Sequence, residues 1–376
     1  MLPFARMLQY GNVNPGLPVV KKTSYQNKLE MVLISDGTLY AHGVDDDYNW
    51  GGPGHINVSG GIQLSTTGVD DFWLGVGVLV RKGTSMYYSG SSYAYSGSNV
   101  IVQSLTDYTT YFTGIDVTKI KNVICGYTSF MLMMDGTLYG RGFNRSGTIG
   151  LGHKSYVSSW TLMDTGVDGI YGDDLGDTLM KVKSDGTVWG CGSNNSLQLR
   201  SPVGDVTTFI NVLDSTPYDI KFCTFYSGLV MCTNDNKIHC TGTSLCGTGV
   251  HSKVFTIPFA IGDMSKVYPS SFSKQLGSRI FLFNNDTQKM MVTGYSPLTA
   301  NPTNTLPMLE TFSEFNFSDY NTDMYISGSG YFNTIYKGGN VWMNGYEPSM
   351  MAGLNTAMCP TPMSTSVTKQ TNLPWQ

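Results

Sequence analysis

Apolar residues along this chain come in short runs separated by turn residues. Three stretches repeat the pattern closely: Leu33-Ile34-Ser35-Asp36-Gly37-Thr38-Leu39-Tyr40-Ala41-His42-Gly43, Leu132-Met133-Met134-Asp135-Gly136-Thr137-Leu138-Tyr139-Gly140-Arg141-Gly142, and Val182-Lys183-Ser184-Asp185-Gly186-Thr187-Val188-Trp189-Gly190-Cys191-Gly192. The runs are too short for helices, and their Val, Ile, Leu, Tyr and Trp content suits strands. Asp-Gly between two such runs predicts a hairpin with a type I′ turn, which needs positive φ at both central residues. Asp36, Gly37, Asp135, Gly136, Asp185 and Gly186 are therefore turn residues. Gly43, Gly142 and Gly192 close each copy, where a bend ends the hairpin.

Four weaker copies fill the gaps and end at Gly90, Gly242, Gly294 and Gly345. The seven closing glycines are separated by 47, 52, 50, 50, 52 and 51 residues. A repeat of about fifty residues holds four short strands and their turns, which is one propeller blade. A further strand-like segment precedes each hairpin, as in Ile120–Cys125 and Tyr218–Cys223. The pattern predicts an all-β, seven-bladed β-propeller occupying residues 1–376 as one domain. An open ring would leave sheet edges unpaired. A strand within Phe4–Val13 is therefore expected to pair with the sheet carrying Val341–Gly345, closing the ring through its two terminal segments.

Composition narrows the function classes. Charged residues make up 13% of the chain and the net charge is −4, with no basic block. That argues against a nucleic-acid partner, which asks for a concentrated positive surface. The longest apolar runs, such as Phe130–Met134, are too short to span a bilayer, so no membrane insertion is expected. The N-terminal residues lack the charged and apolar regions of a secretory signal, so the chain is expected to be made in the cytosol. The seven cysteines form no C-x-x-C pair and read as reduced core residues.

After the third hairpin the chain continues Gly142-Phe143-Asn144-Arg145-Ser146-Gly147-Thr148-Ile149-Gly150-Leu151-Gly152, and after the fourth Gly192-Ser193-Asn194-Asn195-Ser196-Leu197-Gln198-Leu199. Together with the preceding Asp-Gly turns, these stretches resemble the repeat of the regulator of chromosome condensation family. The resemblance implies a seven-bladed propeller. The founding member's activity, nucleotide exchange on a small GTPase with chromatin docking, is not implied with the same force. Docking there uses a basic N-terminal tail, and this chain begins Met1-Leu2-Pro3-Phe4. The chain also resembles, more loosely, propellers of this type encoded by tailed bacteriophages.

No nucleophile elbow, zinc-protease helix or phosphate-binding loop occurs, so a catalytic site and a cofactor are not expected. His239, Cys240, Cys246 and His251 lie close in sequence, but the spacing fits no standard zinc site. Asp45–Asp47 and Asp173–Asp174 lack the calcium-loop pattern and read as solvated loop acids. Tyrosine carries the candidate chemistry. The segment Tyr87–Gly97 mixes Tyr, Ser and Gly, as binding loops do, although aromatic residues also pack on sheet faces. The candidate contact residues are Tyr48, Trp50, Tyr88, Tyr93, Tyr95, Tyr156 and Trp160. The leading expectation is a non-enzymatic virion component of a phage, made in the host cytoplasm. It would bind other virion proteins or a bacterial surface glycan. The alternative is an intracellular protein-interaction module such as an exchange-factor-like propeller.

Overall fold

The computed structural model describes residues 19–26, 29–43, 63–173, 175–200, 203–213, 219–225, 229–233, 235–242, 252–257, 267–269, 279–284, 287, 289–294, 313–314, 324–328, 332–337, 340–345 and 368–369. These residues form seven four-stranded antiparallel sheets, each built from four consecutive strands in sequence order. The first sheet holds β1 (Val20–Gln26), β2 (Leu29–Ile34), β3 (Leu39–Gly43) and β4 (Gln63–Thr66). The second holds β5 (Asp71–Leu74), β6 (Gly77–Lys82), β7 (Ser85–Ser91) and β8 (Ile101–Asp107). The third holds β9 (Ile120–Ile124), β10 (Thr128–Met133), β11 (Leu138–Gly142) and β12 (Val157–Asp164). The fourth holds β13 (Val167–Gly172), β14 (Thr178–Lys183), β15 (Val188–Gly192) and β16 (Val206–Asn211). The fifth runs through β17 (Ile220–Phe225), β18 (Leu229–Thr233), β19 (Lys237–Thr241) and β20 (Ser252–Thr256). The sixth comprises β21 (Val267–Pro269), β22 (Arg279–Asn284), β23 (Lys289–Gly294) and β24 (Ser313–Glu314). The last comprises β25 (Met324–Gly328), β26 (Phe332–Lys337), β27 (Asn340–Gly345) and β28 (Thr368–Lys369).

The first strand of each sheet touches the first strand of the next, from β1 against β5 through to β21 against β25. Contact of β25 with β1 completes the cycle. Sheets arranged radially with their first strands innermost make a β-propeller. Burial follows this placement. Every residue of β2 and β10 is buried, because second strands are sandwiched between neighbouring sheets. Fourth strands such as β8 lie at the rim and are largely exposed. The core therefore sits between sheets. Phe130, Leu132 and Leu138 of the third sheet pack with Ile170 and Leu179 of the fourth.

The three Asp-Gly hairpin turns differ from the expected two-residue form, whereas Lys82 pairs with Ser85 across a two-residue loop. Gly37, Gly136 and Gly186 have φ of +85°, +84° and +82°, while the aspartates before them are absent from the positive-φ region. Gly37 N donates to Ile34 O, and Ile34 N donates to Thr38 O. The loop is thus three residues, a type I turn followed by a left-handed glycine. Asp36, at the third position of that turn, accepts the Thr38 amide at 2.8 Å. Asp135 and Asp185 accept the amides of Thr137 and Thr187 in the same way, each at 2.9 Å. A type I′ turn would point these carboxylates away from the amides they hold.

Each closing glycine sits at or beside the end of a third strand. Gly43, Gly142 and Gly192 have φ of +109°, +116° and +106°. A Cβ on Gly142 would overlap the Tyr127 carbonyl, and one on Gly192 the Asp177 carbonyl. Conformation and close packing both demand glycine there.

The strand that pairs with β27 is β28, through Trp342 with Lys369 and Met343 with Thr368. The last sheet thus takes its edge strand from the segment that follows it. Phe4–Val13 lies outside the described residues. Among the described residues the first and last sheets meet through β1 and β25, and Thr334 Oγ1 donates to Glu30 Oε2 at 2.9 Å across that seam.

Candidate binding face

Alternation of strand direction puts the loops between first and second strands, and those between third and fourth strands, at one end of the sheets. On that end two asparagines shape the loops. Asn144 is fully buried and left-handed, with φ of +51°. Its Oδ1 accepts the Ile149 amide at 3.0 Å, and its Nδ2 donates to the carbonyls of His153 at 2.9 Å and Ser155 at 3.1 Å. Asn194 repeats the clamp, accepting the Leu199 amide at 2.7 Å and donating to Arg200 O at 2.6 Å. These residues hold the loop to itself and do not face a ligand. Sequence reasoning assigned them no role, although their recurrence two residues after the closing glycine was the available signal.

The residue just before the closing glycine ties each of three sheets to the one before it. Arg141 Nε donates to Ala94 O, Cys191 Sγ to Thr148 O, and Thr241 Oγ1 to Gln198 O. Each acceptor lies in the loop after the third strand of the preceding sheet. Loops of this end are therefore fixed relative to their neighbours, and side chains on them are presented by a rigid frame.

The structure divides the predicted contact residues. Tyr88 and Tyr95 are core residues, 1% and 4% exposed, and cannot reach a ligand on this face. Tyr88 lies in β7, and its hydroxyl donates to Ser91 O. Tyr88 stacks on Tyr108 at 5.2 Å and Tyr95 meets it edge-on at 5.1 Å, in a cluster with Trp73, Phe112 and Cys125. Burial raises both phenols well above their ordinary range and pushes the Cys125 thiol up to about 12. The Tyr-Ser-Gly composition misled because a short helix, α1 (Tyr93–Ser96), turns Tyr95 inward. Trp160 is half-buried in β12, against Phe112 at 5.6 Å. Tyr48 and Trp50 lie outside the described residues.

Tyr93 and Tyr156 stay accessible, the latter 38% exposed. Tyr93 packs against Phe143 at 4.5 Å and Tyr127 at 5.6 Å, two half-buried rings that the sequence reading did not single out. Tyr156 lies over Gly97, the left-handed residue that ends α1, where an added Cβ would stand 3.2 Å from its ring. Four aromatic rings from loops of the second and third sheets thus lie on one end of the propeller.

Charges beside the rings are internally matched. Arg145 Nε lies 3.0 and 3.1 Å from the two carboxylate oxygens of Asp177, and the pairing raises the guanidinium above its ordinary value. Lys154 pairs with Asp205 at 2.6 Å. Asp173 accepts the amides of Leu175 at 3.1 Å and Asp177 at 2.8 Å, so it is a structural loop acid. Burial raises its carboxyl to about 6, against the lowering effect of those hydrogen bonds. Among the described residues no three His, Cys, Asp or Glu side chains gather as a metal site. His239 and Cys240 are successive residues of β19 and point to opposite faces. Cys246, His251, Asp45–Asp47 and Asp174 lie outside the described residues.

No family model matches the chain. A stretch of it is 31% identical over 115 residues to the human RCC1-like G exchanging factor-like protein, covering 30% of this chain and 23% of that one. The mouse protein of the same description is 25% identical over 168 residues, covering 43% of this chain and 34% of its own length. The chain thus spans about a quarter to a third of the length of these relatives. Among solved structures, human WBSCR16 superposes with a TM-score of 0.59 at 16% identity, covering 84% of this chain and 87% of that chain. Prp20p of Saccharomyces cerevisiae, described with its binding to Gsp1p and histones, superposes at 0.51 with 12% identity over 94% and 77% of the two chains. These likenesses show an RCC1-like propeller fold.

Proposed function

We propose that this chain is a non-catalytic protein-binding platform, a single ring of seven blades that holds its partner on the end where the closing glycines lie. The observation that carries the reading is the group formed by Tyr93, Tyr127, Phe143 and Tyr156, accessible aromatic rings on loops tied to their neighbouring sheets. Aromatic side chains on a rigid frame are the usual anchors of protein interfaces. The similarity to RCC1-like G exchanging factor-like proteins makes a small GTPase the first partner class to try. The partner is sought in the cytosol, where the chain is expected to fold.

A phage virion component, contacting other virion proteins or a bacterial glycan, is the weaker reading. It rests on a loose resemblance to phage-encoded propellers, whereas the similarity to RCC1-like G exchanging factor-like proteins favours the protein-interaction reading. Binding to a panel of purified small GTPases, nucleotide-free and nucleotide-bound, tests the proposal. At least one is expected to bind, and the Tyr93→Ala, Tyr156→Ala double variant is expected to weaken it about tenfold or more. Acceleration of nucleotide release would add exchange activity to binding. Binding to none of the panel, or binding indifferent to the double variant, would overturn the assignment of this face.

A further inference from the structure

Four non-glycine residues of the described chain are left-handed: Asn144, Leu197, Arg200 and Asn236. Asparagine tolerates that conformation, and leucine and arginine are strained by it. Leu197 and Arg200 have φ of +59° and +67°. They stand five and eight residues after the closing Gly192. At the same distances after Gly142 the third sheet's loop has Gly147 and Gly150, with φ of +75° and +77°. The turn itself is shared: Arg200 N donates to Leu197 O at 3.1 Å, and Gly150 N to Gly147 O at 2.9 Å. The loop between β15 and β16 thus keeps a glycine conformation without the glycines.

Leu197 offsets its strain by burying an apolar side chain. Arg200 has no such return. Its carbonyl accepts Asn194 Nδ2 at 2.6 Å, a bond that a glycine would accept equally. Its side chain is half-buried, and Nε is buried without a hydrogen-bond partner. Buried polar groups almost always find one. Among the described residues no carboxylate pairs with this guanidinium. Acids of the same end are taken by other cations, Asp177 by Arg145 and Asp205 by Lys154. Strain kept together with an unsatisfied cation, on a loop held in a rigid frame, marks a residue retained for a contact outside the chain.

We infer that Arg200 is a partner-recognition residue that pairs with a side-chain carboxylate of the protein bound on this end of the propeller. The planar fork of guanidinium donors matches a carboxylate in two parallel bonds. Arg145 and Lys154 are already engaged, so a single free fork suits one carboxylate better than a phosphate. The inference rests on the protein-binding role proposed above and adds to the aromatic rings a charged contact that sets which partner fits.

Arg200→Gly and Arg200→Ala test it in the full chain. Both delete the guanidinium, and only glycine relieves the backbone. Arg200→Gly is expected to melt about 2 °C above Arg200→Ala. Equal melting would overturn the inference, since Arg200 would then carry no strain that a contact has to justify. Where a small GTPase of the panel binds, its affinity decides the recognition role. Both variants should weaken binding about tenfold or more and flatten its dependence on salt. Affinity unchanged in both would overturn the role while leaving the aromatic face in place. Where none of the panel binds, elution from immobilised polyglutamate decides. The parent leaving at higher salt than both variants would keep Arg200 as a carboxylate-binding residue although the GTPase reading had failed, and co-elution of all three would overturn it.

Discussion

Single residues here carry loops, and their effects are separable. Asn144 Oδ1 and Nδ2 together hold three backbone groups of one loop inside the protein. Asn144→Ala orphans buried amide and carbonyl groups, so it should cost about 1–3 kcal/mol, read as a lower denaturation midpoint at unchanged slope. Asp173 allows a pH test. Burial lifts its carboxyl to about 6 in the folded chain, above the unfolded value of about 3.9. The folded state then binds the extra proton between those values. Its stability should rise as pH falls through 6, level off below about 4, and be lowest above 6. Asp173→Asn keeps an acceptor for the Leu175 and Asp177 amides and cannot ionise. The stability difference between variant and parent in urea should therefore grow in the variant's favour between pH 5 and pH 7.5. A constant difference would show that Asp173 does not titrate in this range.

At the scale of elements, the closing glycine is where conformation and packing coincide, and the two can be told apart. Gly192→Ala meets both a φ of +106° and the Asp177 carbonyl. Gly114→Ala meets a φ of +83° with nothing within 4 Å. The second should lose about 1–2 kcal/mol, from left-handed strain alone. The first should lose clearly more and release the loop 193–200, visible as faster amide exchange there. Equal losses would mean the contact relaxes at no cost. The same glycines explain what the sequence disclosed. Their spacing recovered the hairpin of second and third strands in each sheet, because those strands are buried between sheets and must be apolar. The turn type was misjudged because Asp-Gly serves both the two-residue turn and the three-residue loop found here. The site was legible only in part. Tyr156 was picked for its place after a closing glycine and Tyr93 by composition, and composition could not distinguish Tyr93 from Tyr88 and Tyr95. Tyr127 and Phe143 join the group through a contact between sheets that no local pattern encodes.

For the whole molecule the question is what makes seven sheets a ring instead of an arc. The seam between last and first sheets has a feature of its own. At the position that pairs with the residue before the closing glycine, the third and fourth sheets carry Ser129 and Leu179, whereas the first carries Glu30. Glu30 is fully buried, its Oε2 accepts Thr334 Oγ1 at 2.9 Å, and it lies 2.9 Å from His42 Nε2. One carboxylate thus joins β2 and β3 to β26, residues 304 apart in sequence. Removing it leaves buried donors on both sides of the seam without their acceptor, a loss of about 3–5 kcal/mol for a broken buried pair. If the seam is the weak point of the ring, Glu30→Ala should speed amide exchange first in β1, β2, β25 and β26 and leave β10 and β14 protected. Thr334→Val removes one donor and keeps the carboxylate paired with His42, so it should produce the same local pattern to a smaller extent. Uniform acceleration across all sheets in both variants would mean that the ring unfolds as one unit and that its closure is not held at this carboxylate.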